Sequence, residues 1–268
     1  MIEFLQNQIA GSMSDENKIN RLRETLQLLC LKILYDKDFL SKIAFVGGTA
    51  LRVLYDMRRF SEDLDFSVIN RKGYDFTELI SSLRREFKLY GLEMKVKTKT
   101  FNTVQSSMLK FPALLNAMGL SAFENQNLSI KIEVDSNPPS GWQIETTVIN
   151  KIYVLNLTHF DLPSLFATKL HACFFRRYVK GRDFYDLMWY IGKKIKPNYD
   201  LFNNAIEQTQ GVSLNLGDKN IKDFILEKVS KIDFKTVRED VERFLEDKSE
   251  LKLLEQSVVS KSIADVFG

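Results

Sequence analysis

Two aspartates one residue apart, Asp63 and Asp65, lie where Leu64, Phe66 and Val68 alternate with polar neighbours. This is the period of a strand, so both carboxylates project from one face, a few ångströms apart. Carboxylates held this close repel, and protonation, a basic neighbour or a divalent cation relieves the repulsion. With oxygen donors and no His or Cys beside them, the expected cation is magnesium, with manganese as its substitute, rather than zinc. An isolated D-x-D is in most proteins only the solvated side of a strand, so its context decides. About fifteen residues upstream, Gly47-Gly48-Thr49 follows the apolar run Ile43 to Val46 and opens a segment of helical composition. A glycine turn at this place lets a phosphate approach backbone N–H groups, and the helix adds its positive N-terminus. The Thr49 hydroxyl is a further donor. A phosphate cradle followed by metal ligands supplies both parts of phosphoryl transfer.

A third carboxylate normally completes such a site. In Ser129 to Asp135 the residues Ile130, Ile132 and Val134 point one way and Lys131, Glu133 and Asp135 the other. Glu133, in the strand interior, is the expected partner of Asp63 and Asp65, and Asp135 is the alternative nearer the strand end. The competing reading is a surface charge pair of Glu133 with Lys131. Further along, Lys169, Arg176 and Lys180 are spaced seven and four apart, which predicts one cationic side of a helix with Arg177 beside it. Such a stripe neutralises phosphate charge or meets an RNA backbone. Asp183 and Asp186 then either reach the nucleotide or orient Lys169. His159 and His171 receive no role, and the aromatics Phe174, Phe175, Phe184, Tyr185 and Trp189 fall at core spacings, leaving Tyr178 or Tyr190 to stack on a base.

These groups need elements to hold them. Ile19, Leu22, Leu26, Leu29 and Ile33 predict an amphipathic helix over Asp15 to Tyr35, capped by Ser14 or Asp15. Strand, turn and helix follow through Ile43 to Tyr55, then the Asp63 strand and a helix over Asp75 to Tyr90. Leu92 to Val154 is mainly strands, including Val104 to Phe111, Ile130 to Val134 and Thr146 to Leu155, with an irregular stretch over Pro112 to Asn127 and a turn at Pro138 to Gly141. After Leu155 the period becomes helical: Leu162 to Tyr178, Arg182 to Ile191, Tyr199 to Gln208, Ile221 to Val229, Phe234 to Leu245 and a mixed-charge tail. The expected units are 1–160 and 161–268, the second completing the active-site cleft.

With 268 residues, 44% of them hydrophobic, the chain can bury a substantial core. A formal net charge of +3 gives no global electrostatic argument for a nucleic-acid partner, so any basic surface must come from local clustering. Cys30 and Cys173 lie apart, without metal-binding or disulfide spacing. Neither a signal-peptide pattern nor an apolar run of about 18 residues is present, so the cytoplasm is expected and no membrane. A P-loop is excluded by the absence of G-x-x-x-x-G-K-[ST], and the E-x-K order of metal-dependent nucleases is reversed in Lys131-Ile132-Glu133.

The segment Gly47-Gly48-Thr49-Ala50-Leu51, followed by Arg59-x-Ser61-Glu62-Asp63-Leu64-Asp65-Phe66, resembles the AbiEii/AbiGii toxin family of nucleotidyltransferases. The likeness extends through Ala167 to Ala172 and Gly181 to Leu187, so it runs from about Phe45 to Leu187. The resemblance implies an α+β fold, a mixed-sheet core like that of DNA polymerase beta followed by a helical bundle. It also implies transfer of a nucleotide from a nucleoside triphosphate (NTP) to an acceptor with release of pyrophosphate, the acceptor being RNA such as tRNA, beside a cognate antitoxin. By analogy Asp63 and Asp65 hold the metal, joined by Glu133 as read from its strand, and Lys169 and Asp183, with Asp186 as the alternative acid, complete the catalytic set. Gly47, Gly48, Thr49 and Arg59, with Lys169, Arg176 and Asp186, are the nucleotide-binding set. The alternative is a catalytically silent NTP sensor on the same fold.

Overall fold

The computed structural model of the chain describes residues 1–99 and 103–267. It divides into two compact units. Unit 1 comprises Met1–Asp56, Phe60–Pro138 and Glu145–His159; unit 2 comprises Met57–Arg59, Pro139–Ile144 and Phe160–Gly268.

Unit 1 is built on a seven-stranded mixed sheet of β1 (Ile43–Val46), β2 (Asp63–Val68), β3 (Lys95–Lys99), β4 (Val104–Phe111), β5 (Leu128–Asp135), β6 (Ile144–Asn150) and β7 (Val154–Phe160). The spatial order is β3-β4-β5-β2-β1-β7-β6. The β2–β5 and β1–β7 pairs are parallel; β1–β2, β3–β4 and β4–β5 are antiparallel. The helices of this unit are α1 (Ile2–Gln8), α2 (Asp15–Asp36), α3 (Gly47–Tyr55), α4 (Phe76–Leu89) and the short α5 (Leu114–Ala117).

The alternation in β5 is complete: Leu128, Ile130, Ile132 and Val134 are buried, and the residues between them are not. Those buried side chains join Leu22, Leu26 and Leu29 of α2 and Leu79, Leu83 and Phe87 of α4 in one core. Ser14 caps α2 by accepting from the Asn17 N–H, and Asp75 caps α4 by accepting from Thr77 and Glu78. One sheet face is thus closed by apolar packing, which leaves the polar residues of β2 and β5 on the other.

Unit 2 is helical: α6 (Leu162–Phe175), α7 (Gly181–Gly192), α8 (Tyr199–Gln210), α9 (Ile221–Ser230), α10 (Phe234–Val241) and α11 (Gln256–Phe267). Asp161 caps α6 by accepting from the Ser164 N–H, with Pro163 in the first turn where its missing donor costs nothing. Its buried residues include Phe166, Leu170, Phe184, Leu187, Phe202 and Val237.

Four elements depart from the sequence reading. Thr146 to Leu155 is not one strand: Lys151–Tyr153 forms a turn that separates β6 from β7, and no Gly or Pro marks it. The helix expected to reach Tyr178 stops at Phe175, where Arg176 turns extended (φ −73°, ψ 142°), so Lys169, Arg176 and Lys180 do not form one helical stripe. The α1 and α5 helices lie in segments given no helix by periodicity, being too short to show one.

Candidate active site

The β1 strand ends at Val46, whose partner across the sheet is Asp65. The chain must then leave the sheet and start α3 directly above that carboxylate. Gly47 makes this possible in two ways. Its φ is +78°, a left-handed value that a side chain disfavours, and a Cβ there would sit 2.3 Å from Asp65 Oδ2. The first turn of α3 is uncapped by any described side chain, so its N–H groups remain the positive end of a helix dipole. The Thr49 hydroxyl is directed elsewhere: it is buried and donates to the backbone carbonyl of Asp63, tying α3 to β2.

Asp63 and Asp65 lie on the polar side of β2, half-buried, alternating with the buried Leu64 and Phe66. In the parallel pairing with β5, Asp63 lies opposite Lys131, Asp65 opposite Glu133 and Ser67 opposite Asp135. Glu133 therefore stands next to the aspartate pair, and Asp135 stands one step further along, accepting from the Asn137 N–H with its pKa raised by burial. Glu133 also accepts from Lys131, Nζ to Oε1 2.6 Å. Among the described residues no three carboxylates, imidazoles or thiols are drawn together as a ready metal cage. The donor set still fits magnesium, which commonly takes one or two protein carboxylates and completes its shell with phosphate oxygens and water.

The loop before β2 is held by groups that sequence patterning passed over. Arg52 of α3 pairs with Glu24 of α2 and lies 4.3 Å over the Phe60 ring. Gln27, buried in α2, donates to the Ser61 carbonyl at 3.1 Å, and Arg23 lies 3.8 Å from Glu62. The polar stripe Asn20, Arg23, Glu24 and Gln27, at helical spacing on a mostly apolar helix, was the available signal.

In unit 2 the second motif forms a buried ion network. Asp186, with no exposed surface, accepts from Arg59 Nε at 2.5 Å and Nη2 at 2.6 Å, and from Lys169 Nζ at 2.7 Å. Asp183 accepts from Lys169 Nζ and Arg176 Nη1, both at 2.7 Å. Burial would lower the Lys169 pKa, but the two carboxylates more than offset it and hold the amine above the usual lysine value. Burial would raise that of Asp183, and Lys169 followed by Arg176 draws it below the usual carboxylate range. Two carboxylates thus serve three cations, of which Arg176 is the most exposed. Lys180 stands apart from this network as the residue before α7. Tyr190 is fully buried and stacked on Phe166, which leaves Tyr178 as the exposed aromatic of the pair considered for base stacking. His159 is buried against Thr147 and Tyr55, and His171 bonds Thr209.

An open pocket of about 480 Å³, lined by Val68, Arg71, Tyr74, Gln105, Ser136 and Asn137, lies at the Val68 end of β2, away from Asp63. Its Arg71 is bound to the Ser136 carbonyl and to Asn137 Oδ1. Among the described residues no helix is long and apolar enough to cross a membrane.

The family model described as nucleotidyl transferase AbiEii toxin, type IV TA system, matches residues 30–259. The match extends well beyond Phe45 to Leu187, into α2 and through most of the C-terminal helices. Among solved structures, JHP933 from Helicobacter pylori is similar at 18% identity over 91% of this chain and 92% of that one, TM-score 0.46. An H. pylori protein described as a candidate nucleotidyltransferase is similar at 18% identity over 91% and 96%, TM-score 0.48. A search of curated proteins finds no match.

Proposed function

Because the chain belongs to the AbiEii family of nucleotidyltransferase toxins, we propose that it moves a nucleoside monophosphate from an NTP to a hydroxyl of RNA, tRNA foremost. Magnesium is held by Asp63 and Asp65, and the enzyme acts in the cytoplasm, where both substrates are found. The observation that carries this reading is the close approach of Gly47 to Asp65: the turn read as a phosphate cradle and the carboxylate read as a metal ligand leave no room for a Cβ between them.

The residues divide the work by chemistry. The N–H groups of Gly48 and Thr49 receive phosphate oxygens at the head of α3, and Thr49 uses its hydroxyl to hold Asp63 in register. Asp63 and Asp65 orient the metal–triphosphate. Glu133 leaves Lys131 to accept the proton of the attacking hydroxyl or to join the metal shell. Bound magnesium supplies charge neutralisation for the transferred phosphoryl group and its pyrophosphate leaving group. In unit 2, Arg176 is the cation open to a phosphate, while Asp183, Asp186, Lys169 and Arg59 hold it in place. A cognate antitoxin accompanies such a toxin.

The test is incubation of the chain with each α-labelled NTP, magnesium and total RNA, followed by gel separation and a pyrophosphate assay. Wild type labels an RNA band from at least one NTP, manganese substitutes for magnesium, and chelator, Asp63→Ala and Asp65→Ala each abolish the label. Equal labelling by wild type and both variants sinks the reading, and label confined to protein removes RNA as the acceptor.

A further inference from the structure

The sheet register lays charged residues in two rows across four strands. Lys97 pairs with Met108, Met108 with Lys131 and Lys131 with Asp63; Lys99 pairs with Ser106, Ser106 with Glu133 and Glu133 with Asp65. Residues directly paired in a sheet share a face, so Lys97 and Lys99 of β3 stand on the same face as the two aspartates. Lys95, paired with Lys110, adds a third row on that face. The three β3 lysines are exposed. Lys95 has a single long contact, 3.9 Å to Glu93, and Lys97, Lys99 and Lys110 meet no carboxylate among the described residues. With a strand spacing of about 4.8 Å, the β3 lysines lie roughly 14 Å from the aspartates.

From this juxtaposition we propose that the open face of β3 and β4 is the track on which the phosphodiester backbone of the acceptor RNA lies. The proposal rests on the RNA-transfer reading above and adds the surface that holds the substrate. A chain with net charge +3 has local clustering as its means of attracting a polyanion, and here the cluster is continuous by register with the reaction centre. An RNA strand supplies both a repeating negative charge for the lysines and a hydroxyl to present at Asp63 and Asp65. An acidic protein would supply only the first. Lysine also blunts exposed sheet edges, and β3 is an edge strand, so a protective role is the competing account. The two differ in sign: glutamate protects an edge as well as lysine does, but repels phosphate.

The experiment measures binding of a fluorescein-labelled mixed-sequence oligoribonucleotide and of pooled tRNA by anisotropy, over a range of salt, without NTP. Wild type is compared with Lys95→Glu/Lys97→Glu/Lys99→Glu, with the corresponding triple Gln variant, and with a charge-matched control, Lys219→Glu/Lys235→Glu/Lys252→Glu. The β3 Glu variant should lose at least tenfold in affinity and the Gln variant less. The slope of log K against log salt should fall by about 2, at roughly 0.7 per phosphate contact. The control should stay within twofold of wild type. Equal losses in the β3 and control variants, or displacement of the RNA by polyglutamate as readily as by unlabelled RNA, overturns the track. The Gln variant decides if the Glu variant does not fold. Transfer is scored separately: if wild type labels no RNA but binding depends on the β3 lysines, the transfer reading fails and the β3 face stands as an RNA-binding surface but not as an acceptor track. If labelling is intact and binding is indifferent to β3, the track fails alone.

Discussion

Gly47 carries two constraints at once, a left-handed backbone and a missing Cβ against Asp65. Replacing it with alanine costs roughly 1–2 kcal/mol for the backbone alone. Because the added carbon can be accommodated only by moving Asp65, Gly47→Ala should lose on the order of 100-fold in transfer rate, out of proportion to its stability loss. Urea unfolding beside the labelling assay measures both. The ion network sets a second expectation. Asp183 has a folded pKa below its ordinary 3.8, so its pairing contributes fully above that value and is lost as pH falls through the folded one. Lys169 is raised above its ordinary 10.5, so its contribution is intact below that and lost only in strong alkali. The network is therefore insensitive to pH across neutrality. Asp183→Asn should cost about 3–5 kcal/mol at neutral pH, a deficit that narrows as acid strips the wild type of the same charge; chemical denaturation at descending pH tests this. The aspartate pair and the glycine turn were legible in the chain because both depend on neighbours within a few residues. The pairing of Asp183 with the basic residues of its own motif was legible for the same reason; the partner of Thr49 was not, because the Asp63 carbonyl is reached only after the chain has folded back.

At the scale of elements, the helix expected to run on through Arg176 stops at Phe175, and after five intervening residues Gly181 begins α7 against α10. A Cβ on Gly181 would lie 2.0 Å from the Val237 carbonyl oxygen, so the two backbones touch. Alanine is the better helix former by about 1 kcal/mol, yet Gly181→Ala should destabilise by roughly 1–3 kcal/mol, because separating the helices outweighs propensity. A stabilised variant in thermal unfolding would refute the close approach. On β5, Lys131 and Glu133 share a face and an ion pair. If Glu133 serves the metal or the acceptor, Lys131→Ala frees it, and half-maximal transfer should need severalfold less magnesium; titration of the metal in the labelling assay checks the shift. Strand periodicity in β2, β4 and β5 could be read directly, since each has one buried face. The β6–β7 turn could not: both strands expose apolar residues, among them Val148 and Val154, so one face is not clearly marked and no turn residue intervenes.

For the whole molecule, a nucleotide and metal that bind the folded chain must raise its unfolding temperature by mass action. NTP with magnesium should shift the midpoint upward by a few degrees, about 2.7 kcal/mol at one hundred times the dissociation constant, and neither alone should match the pair. Asp63→Ala/Asp65→Ala should abolish the magnesium-dependent part, measurable by scanning fluorimetry. The division into two units partly follows chain order, but Met57–Arg59 and Pro139–Ile144 belong with the helical residues. Arg59 shows why: its guanidinium is buried on Asp186, 127 positions away, and no local pattern announces such a partner. Local periodicity, turn chemistry and the spacing of Gly47, Asp63 and Asp65 were enough to mark most of the elements and the class of chemistry, because they are properties of short stretches. That the β3 lysines share the face of β2, that Thr49 turns to the Asp63 carbonyl and that Arg59 is buried on Asp186 are properties of register and burial. Those arise when distant segments compete for the same core, and they bring three lysines of an edge strand onto the face of the aspartates.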